Sequence, residues 1–429
     1  MYIIGNGTLF TGGSTPLVSE NAVLVDGTKI AAIAPVSELK RSFPDAEFID
    51  AEGGLIMPSL IDLSVKSRRT LFRTLPEGAM PACEVHIRFS RCTAKEDNSL
   101  DPELIVSGTY LAALKMIKSG ITTVLDNHLS PKCVSGSLSS LASVYRECGL
   151  RVCLCYAASC DDGIAENSEF GAYCASLDSP LLHGIYALAR FVDNTTVINT
   201  VTASNGGKLF IDLPKSSFGG YDTLRKYGMR PVELLDSLGA LGSGTVLAGG
   251  FDLTEQDIAL INKRGAAYVL TPVLGLLIGH RNANFSLLDK RLDRIGIGTD
   301  SLIGDQFEML RDIVIAERIS GREFTTDACI NALIHGNASI ASSLFGTTLG
   351  VIEVGGEADI AIFDHCFCPS LDAVSIKRLM LSSLNAASCT FTMCAGRVLM
   401  HKGDFPAINK AAVIKRAEHA TDALIKKMR

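Results

Sequence analysis

The sequence predicts an α/β fold, a (β/α)8 TIM-like barrel with a small β-sandwich built from both chain ends, and three observations carry that prediction. A cadence of helix, glycine and short buried strand recurs through the middle of the chain. Short β-type runs with turn signals fill residues 2–50 and return near residue 350. A chain of 429 residues is long enough for one large barrel with a smaller companion. The expected division is residues 1–56 and 350–405 for a composite β-sandwich, 57–349 for the barrel, and 406–429 for a C-terminal helix.

Taken in order, Tyr2–Ile4, Ala22–Val25, Lys29–Ile33 and Glu47–Asp50 read as strands, with Asp26-Gly27 as a hairpin turn between two of them. The texture then lengthens. Leu104–Lys118 has helical spacing and stops at Ser119-Gly120, and Thr122–Asp126 follows as a β-branched run. Leu138–Cys148 with Gly149 leads to Val152–Tyr156. Val232–Leu238 with Gly239 leads to Thr245–Ala248, and Glu255–Arg264 with Gly265 leads to Tyr268–Leu270. Leu287–Leu292 precedes Ile295–Gly298, and Met309–Ile319 comes after it. Repeated βα units of this kind call for a parallel sheet, and their number favours closure into a barrel. The β texture returns in Gly350–Glu353, Ala358–Phe363, Phe391–Cys394 and Arg397–Met400, and Ala411–Met428 has the pattern of a terminal amphipathic helix.

Composition excludes several classes. With 47% hydrophobic and 20% charged residues the chain is an ordinary globular one. A net charge of −6, with no basic block before Lys426-Lys427-Met428-Arg429, argues against nucleic acid or an anionic membrane as a partner. No signal-like leader and no long uncharged apolar run occur, so a cytoplasmic location is expected. The 13 cysteines are spread through apolar runs and read as buried thiols. Cys153/Cys155 and Cys366/Cys368 lack a second pair at zinc-like spacing. There is no Gly-x-Ser-x-Gly elbow, and Gly242-Ser243-Gly244 and Gly249-Gly250 lack the strand and helix context of a phosphate loop.

Several segments, in order, resemble the amidohydrolase superfamily, and within it the cytosolic aminohydrolase and chlorohydrolase group, especially its SsnA-like branch. They are Gly54-Leu55-Ile56-Met57-Pro58, Ser119-Gly120-Ile121-Thr122-Thr123-Val124-Leu125-Asp126-Asn127-His128, Gly149-Leu150-Arg151-Val152-Cys153, Ile297-Gly298-Thr299-Asp300-Ser301 and Leu349-Gly350-Val351-Ile352-Glu353. The resemblance implies metal-dependent hydrolysis of non-peptide C–N bonds, of deaminase or aminohydrolase type. Zinc or another divalent metal would lower the pKa of a bound water from about 15.7 to about 7. It also implies the ligands: a His-x-His after the first barrel strand, one His from the fifth, one from the sixth and an Asp from the eighth, with a Glu three residues after the fifth-strand His as proton shuttle.

Mapped onto this chain, those ligand positions hold Ser64, Lys66, Asp212, Gly249 and Asp300, and Lys215 stands at the shuttle. Only Asp300 keeps the family identity. A protonated lysine has no lone pair to offer and repels a cation, so no bound metal and no cofactor are expected. Lys66 and Lys215 set against Asp212 and Asp300 suggest that lysine ammonium groups take the electrostatic place of the metal. That reading requires Lys66 Nζ within about 5 Å of a carboxylate; the alternative is that the lysines extend into solvent at a wide mouth.

Lys66, His128, Asp212, Lys215 and Asp300 are therefore the candidate site residues. His128, after Asp126-Asn127 at a strand end, suits either catalysis or a structural hydrogen bond. His86, His183 and His280 fall near predicted loop ends, where they could line the pocket. His335, His365, His401 and His419 fall in helix or β-layer regions away from the mouth. Two functional classes follow. One is a non-catalytic or regulatory relative, a homodimer or the partner of an active relative, whose pocket keeps a small-molecule ligand or is merely inherited. The other is a hydrolase with rebuilt, metal-independent chemistry.

Overall fold

The structure, a computed structural model, describes residues 1–429 apart from 14–17, 75–93, 178, 190–194, 205–206, 215–216, 251–252, 278–284, 301–303, 322–324, 365–371 and 429. Among the described residues, seven strands precede the barrel: β1 (Tyr2–Gly5), β2 (Thr8–Phe10), β3 (Val18–Ser19), β4 (Ala22–Asp26), β5 (Lys29–Ala34), β6 (Glu47–Asp50) and β7 (Leu55–Pro58). The barrel strands are β8 (Leu60–Val65), β9 (Ile121–His128), β10 (Arg151–Ala158), β11 (Leu182–Gly184) with β12 (Tyr186–Leu188), β13 (Leu209–Leu213), β14 (Thr245–Gly249), β15 (Ala267–Leu270) and β16 (Ile295–Ile297). Among the described residues, three strands follow, β17 (Ile360–Phe363), β18 (Cys389–Cys394) and β19 (Arg397–His401).

Every residue of β9 and of β10 is buried, as expected of strands covered on both faces, and the polar residues they carry, such as Asp126 and Arg151, are buried with hydrogen-bond partners. The sheet runs in sequence order from β8 to β16, all parallel, and an isolated bridge between Val65 and Asp300 brings its two edges together. Its fourth stave is split into β11 and β12, both paired with β10. Inward residues from alternate positions, among them Ile61, Leu63, Leu125, Cys153, Phe210, Val246 and Val269, fill the interior, and Ile340, Leu344 and Phe345 of the helix Asn337–Phe345 close it from below. The flanking helices stop where their caps say they should. Glu255–Arg264 has Thr254 and Asp257 in a reciprocal capping box and Gly265 in the left-handed conformation beyond its end.

Beneath the barrel lie two sheets. One has the order β5-β4-β1-β6; the other, β19-β18-β17-β7-β2-β3, draws strands from both ends of the chain. Ile4, Val23, Ile56, Ile360 and Phe391 share the core between them. The chain changes from sandwich to barrel at Ser59, between β7 and β8. One expected strand does not form: Gly350–Glu353 contributes only a bridge from Val351 to Gly12. Gly350 sits at φ +72°, outside the β region, so no ladder can run through it.

Candidate active site

The mouth of the barrel is the C-terminal end of its strands, where barrel enzymes carry their chemistry. Lys66 directly follows β8, Asp212 lies near the end of β13, and Asp300 stands just beyond β16. The structure brings the three together. Lys66 Nζ donates to Asp212 Oδ2 and to Asp300 Oδ2, at 2.8 Å each. The side chains are 7%, 6% and 2% exposed, so the lysine does not extend into solvent. Removing one partner from so buried a set would leave charge in a poorly solvating interior.

The backbone around Asp300 explains its placement. Asp300 N–H donates to the Ser64 carbonyl at 2.6 Å, and Lys66 N–H donates back to the Asp300 carbonyl at 3.1 Å. Asp300 therefore pairs with the first strand at φ +55°, a left-handed value that aspartate tolerates better than most residues. Gly298 permits the approach, because a Cβ there would lie 2.6 Å from that of Ser64.

Asp62, which the sequence reading passed over, secures this seam. Its carboxylate accepts from the Thr299 amide at 3.1 Å, the Thr299 hydroxyl at 2.6 Å and the Ser64 amide at 3.2 Å. Burial pushes the Asp62 carboxyl up to about 7 despite these donors. The signal for it was present: a carboxylate inside an otherwise apolar buried run must find donors. Gln306 and Asn337 complete the seam through the Ile61 carbonyl, at 2.9 and 2.7 Å.

A second buried network, also missed, adjoins the first. Arg68 Nε donates to Asp97 at 3.0 Å, and Arg68 also donates to the Asn127 carbonyl at 2.5 Å. Arg69 reaches Asp97 at 3.1 Å. Asp126 accepts from the Ser67 hydroxyl at 2.5 Å and from Tyr145 at 2.8 Å. These pairs join residues far apart in sequence, so no local pattern announces them.

His128 takes a structural position. Its Nε2 pairs with the Ser130 hydroxyl at 2.8 Å, and its ring meets Tyr156 edge-on at 5.9 Å. Full burial, aided by the charge of Arg68, pushes its pKa down to about 3, so it is neutral at physiological pH. His183 does not line the mouth. It sits on β11 opposite Cys153, near the N-terminal end of the barrel strands, with its ring 4.8 Å from Phe345; a loop-end position in sequence is equally a bottom-face position in a barrel. His335 lies in the π-helical turn Ala332–Gly336, His401 meets Phe391 edge-on, and His419 is on the helix Lys410–Met428. Lys215, His86, His280, His365, Cys366 and Cys368 lie outside the described residues.

At the sixth strand, Gly249 offers no side chain, and its carbonyl accepts from Tyr268 at 2.5 Å. Ser64 is buried in the first-strand position. Among the described residues no group of three or more His, Cys, Asp or Glu is arranged to hold a metal ion.

The closed parallel barrel with a composite β-sandwich beneath it is the amidohydrolase fold, and the chain is similar along nearly its whole length to curated nucleoside deaminases. It is 26% identical, over 99% of both chains, to 5-methylthioadenosine/S-adenosylhomocysteine deaminase 2 of Archaeoglobus fulgidus. It is 27% identical, over 93% of both, to a 5-methylthioadenosine/S-adenosylhomocysteine deaminase of Thermococcus onnurineus. Among solved structures, a zinc-bound adenosine deaminase from Xanthomonas campestris superposes with a TM-score of 0.83 at 20% identity, over 99% of this chain and 98% of that one. The zinc complex of atrazine chlorohydrolase TrzN from Arthrobacter aurescens gives 0.81 at 18%, over 98% and 100%. No protein-family profile matches the chain.

Proposed function

We propose that this protein is a non-hydrolytic member of the amidohydrolase superfamily, in which a lysine-centred ion cluster stands at the positions that the family resemblance assigns to a metal. The observation that carries the reading is the position of Lys66 Nζ, 2.8 Å from Asp212 and 2.8 Å from Asp300. Two of the oxygens that could ligate a metal are engaged by an ammonium group that is itself unable to ligate. The remaining family positions are Ser64, whose neutral hydroxyl is a poor zinc ligand, and Gly249, which has no donor side chain. This set does not fit zinc, and no hydrolytic step is assigned to a metal. The neutral, hydrogen-bonded His128 does not replace the missing ligands.

The relatives deaminate 5-methylthioadenosine, S-adenosylhomocysteine or adenosine, so a purine nucleoside is the ligand class to try first at the mouth. The test is turnover of 5-methylthioadenosine, adenosine and a chlorotriazine by purified protein, with and without added zinc or manganese. The expected result is no turnover of any of them. Zinc-dependent deamination would overturn the reading. Metal-independent turnover that disappears in Lys66→Ala would replace it with rebuilt hydrolytic chemistry.

A further inference from the structure

The three side chains of the mouth cluster meet the requirements for a covalent bond, and we propose that Lys66 and Asp212 condense into an amide that ties the first barrel strand to the fifth. The inference rests on the reading that the cluster is not a metal centre, and the ion cluster of the structure is the state of the chain before condensation. Three observations carry it. Lys66 Nζ lies in contact with the Asp212 carboxylate, at 2.8 Å. A second carboxylate, Asp300, touches the same nitrogen at 2.8 Å. All three side chains are 7% exposed or less, so bulk water has little access to reverse the reaction.

The chemistry balances within the cluster. A proton passes from the Lys66 ammonium to the Asp212 carboxylate, leaving an amine and a carboxylic acid. The amine nitrogen attacks Asp212 Cγ. Asp300 takes a proton from that nitrogen and returns it to the departing hydroxyl, and one water leaves as the C–N bond is completed. No oxidant, cofactor or further reactant is needed. In dilute solution amine and acid do not condense, because their ions are more stable. Fixed in contact they react as one molecule, and well-oriented intramolecular reactions reach effective concentrations of about 10⁵–10⁸ M.

Asp212 is the acyl partner and Asp300 the relay because their backbones differ. Asp300 is already bound to the first strand through Ser64 and Lys66 on both sides, so an amide there would add little constraint. Asp212 comes from the far side of the barrel, on β13, whose neighbours are β12 and β14. A link from β8 to β13 crosses the mouth.

Intact-mass spectrometry of the denatured wild-type protein tests this. The expected mass is lower than the sequence mass by one water. Trypsin should then leave Lys66 uncut and yield residues 42–68 joined to residues 209–215. Asp212→Ala and Asp300→Asn should both return the full mass, the second although Lys66 and Asp212 are intact. A wild-type chain of full mass that trypsin cleaves after Lys66 would overturn the proposal, and so would a link from 42–68 to 295–311, which carries Asp300. Zinc content and turnover are separate readouts, so a full-mass chain without zinc would defeat the amide while leaving the non-hydrolytic reading in place.

Discussion

The barrel carries a buried ion cluster at each end, and the two are built for different surroundings. At the bottom, Arg151 opens β10 with no exposed surface and spreads its guanidinium over Asp359 at 3.0 Å, Glu357 at 3.3 Å and the Pro180 carbonyl at 3.3 Å. Lys29 of the sandwich closes on Glu357 at 2.7 Å. Burial works against the Glu357 carboxylate, but the hydrogen bond and charge of Lys29 and the charge of Arg151 hold its pKa below the usual range. This cluster joins barrel to sandwich through a planar cation that several acceptors share. At the top, a single-point ammonium sits between two carboxylates that face the mouth. A guanidinium that satisfies a structural joint cannot be exchanged for an ion; an ammonium between two converging carboxylates can. The difference teaches that the top cluster, two carboxylates converging on one ammonium, has the outline of a cation site.

The largest expected effect is at the bottom. Arg151→Ala leaves Asp359 and Glu357 facing each other in the interior, and should cost about 3–5 kcal/mol in denaturant unfolding. Added divalent cations should recover none of it. Lys66→Ala should cost a comparable or slightly smaller amount, about 3 kcal/mol, but here magnesium, manganese or zinc should raise stability in a concentration-dependent way, by about 2.7 kcal/mol at a hundred times the dissociation constant. Equal behaviour of the two variants would erase the distinction between the clusters.

A third, smaller effect is pH-dependent. His128 has a folded pKa of about 3, so on acidification the unfolded chain takes up the proton first, near its ordinary value of about 6.5. Its contribution is intact above that pH and is lost as pH falls toward the folded value. Between pH 7 and 5 wild type should lose about 2 kcal/mol from this group, and His128→Gln should lack that slope in unfolding measured at the two pH values. The smallest effect is a control distant from both clusters: Thr254→Ala removes the cap of Glu255–Arg264 and should cost about 1 kcal/mol with no response to cations.

Much of the fold is legible in the sequence because barrel strands and their helices repeat a local pattern. Glycines such as Gly149 and Gly265 mark helix ends by their positive φ, and strands such as β10 carry an apolar run from Val152 to Ala158. The ion cluster is legible in outline, since Lys66, Asp212 and Asp300 stand at the ends of strands that a barrel must gather at one mouth. What is not legible depends on contacts between distant residues. Asp62 with Thr299 is one case; Arg68 with Asp97 is another. His183 shows a different limit, because periodicity places it at a strand end without saying which end of the barrel that is.

The central claim is that Lys66 has displaced the metal, and zinc stoichiometry tests it most directly. Protein produced in zinc-supplemented medium, freed of loosely bound ions and analysed for metal per chain, should contain far less than one zinc. Lys66→Ala prepared in parallel should retain more metal than wild type. One tightly held zinc per wild-type chain would contradict the account.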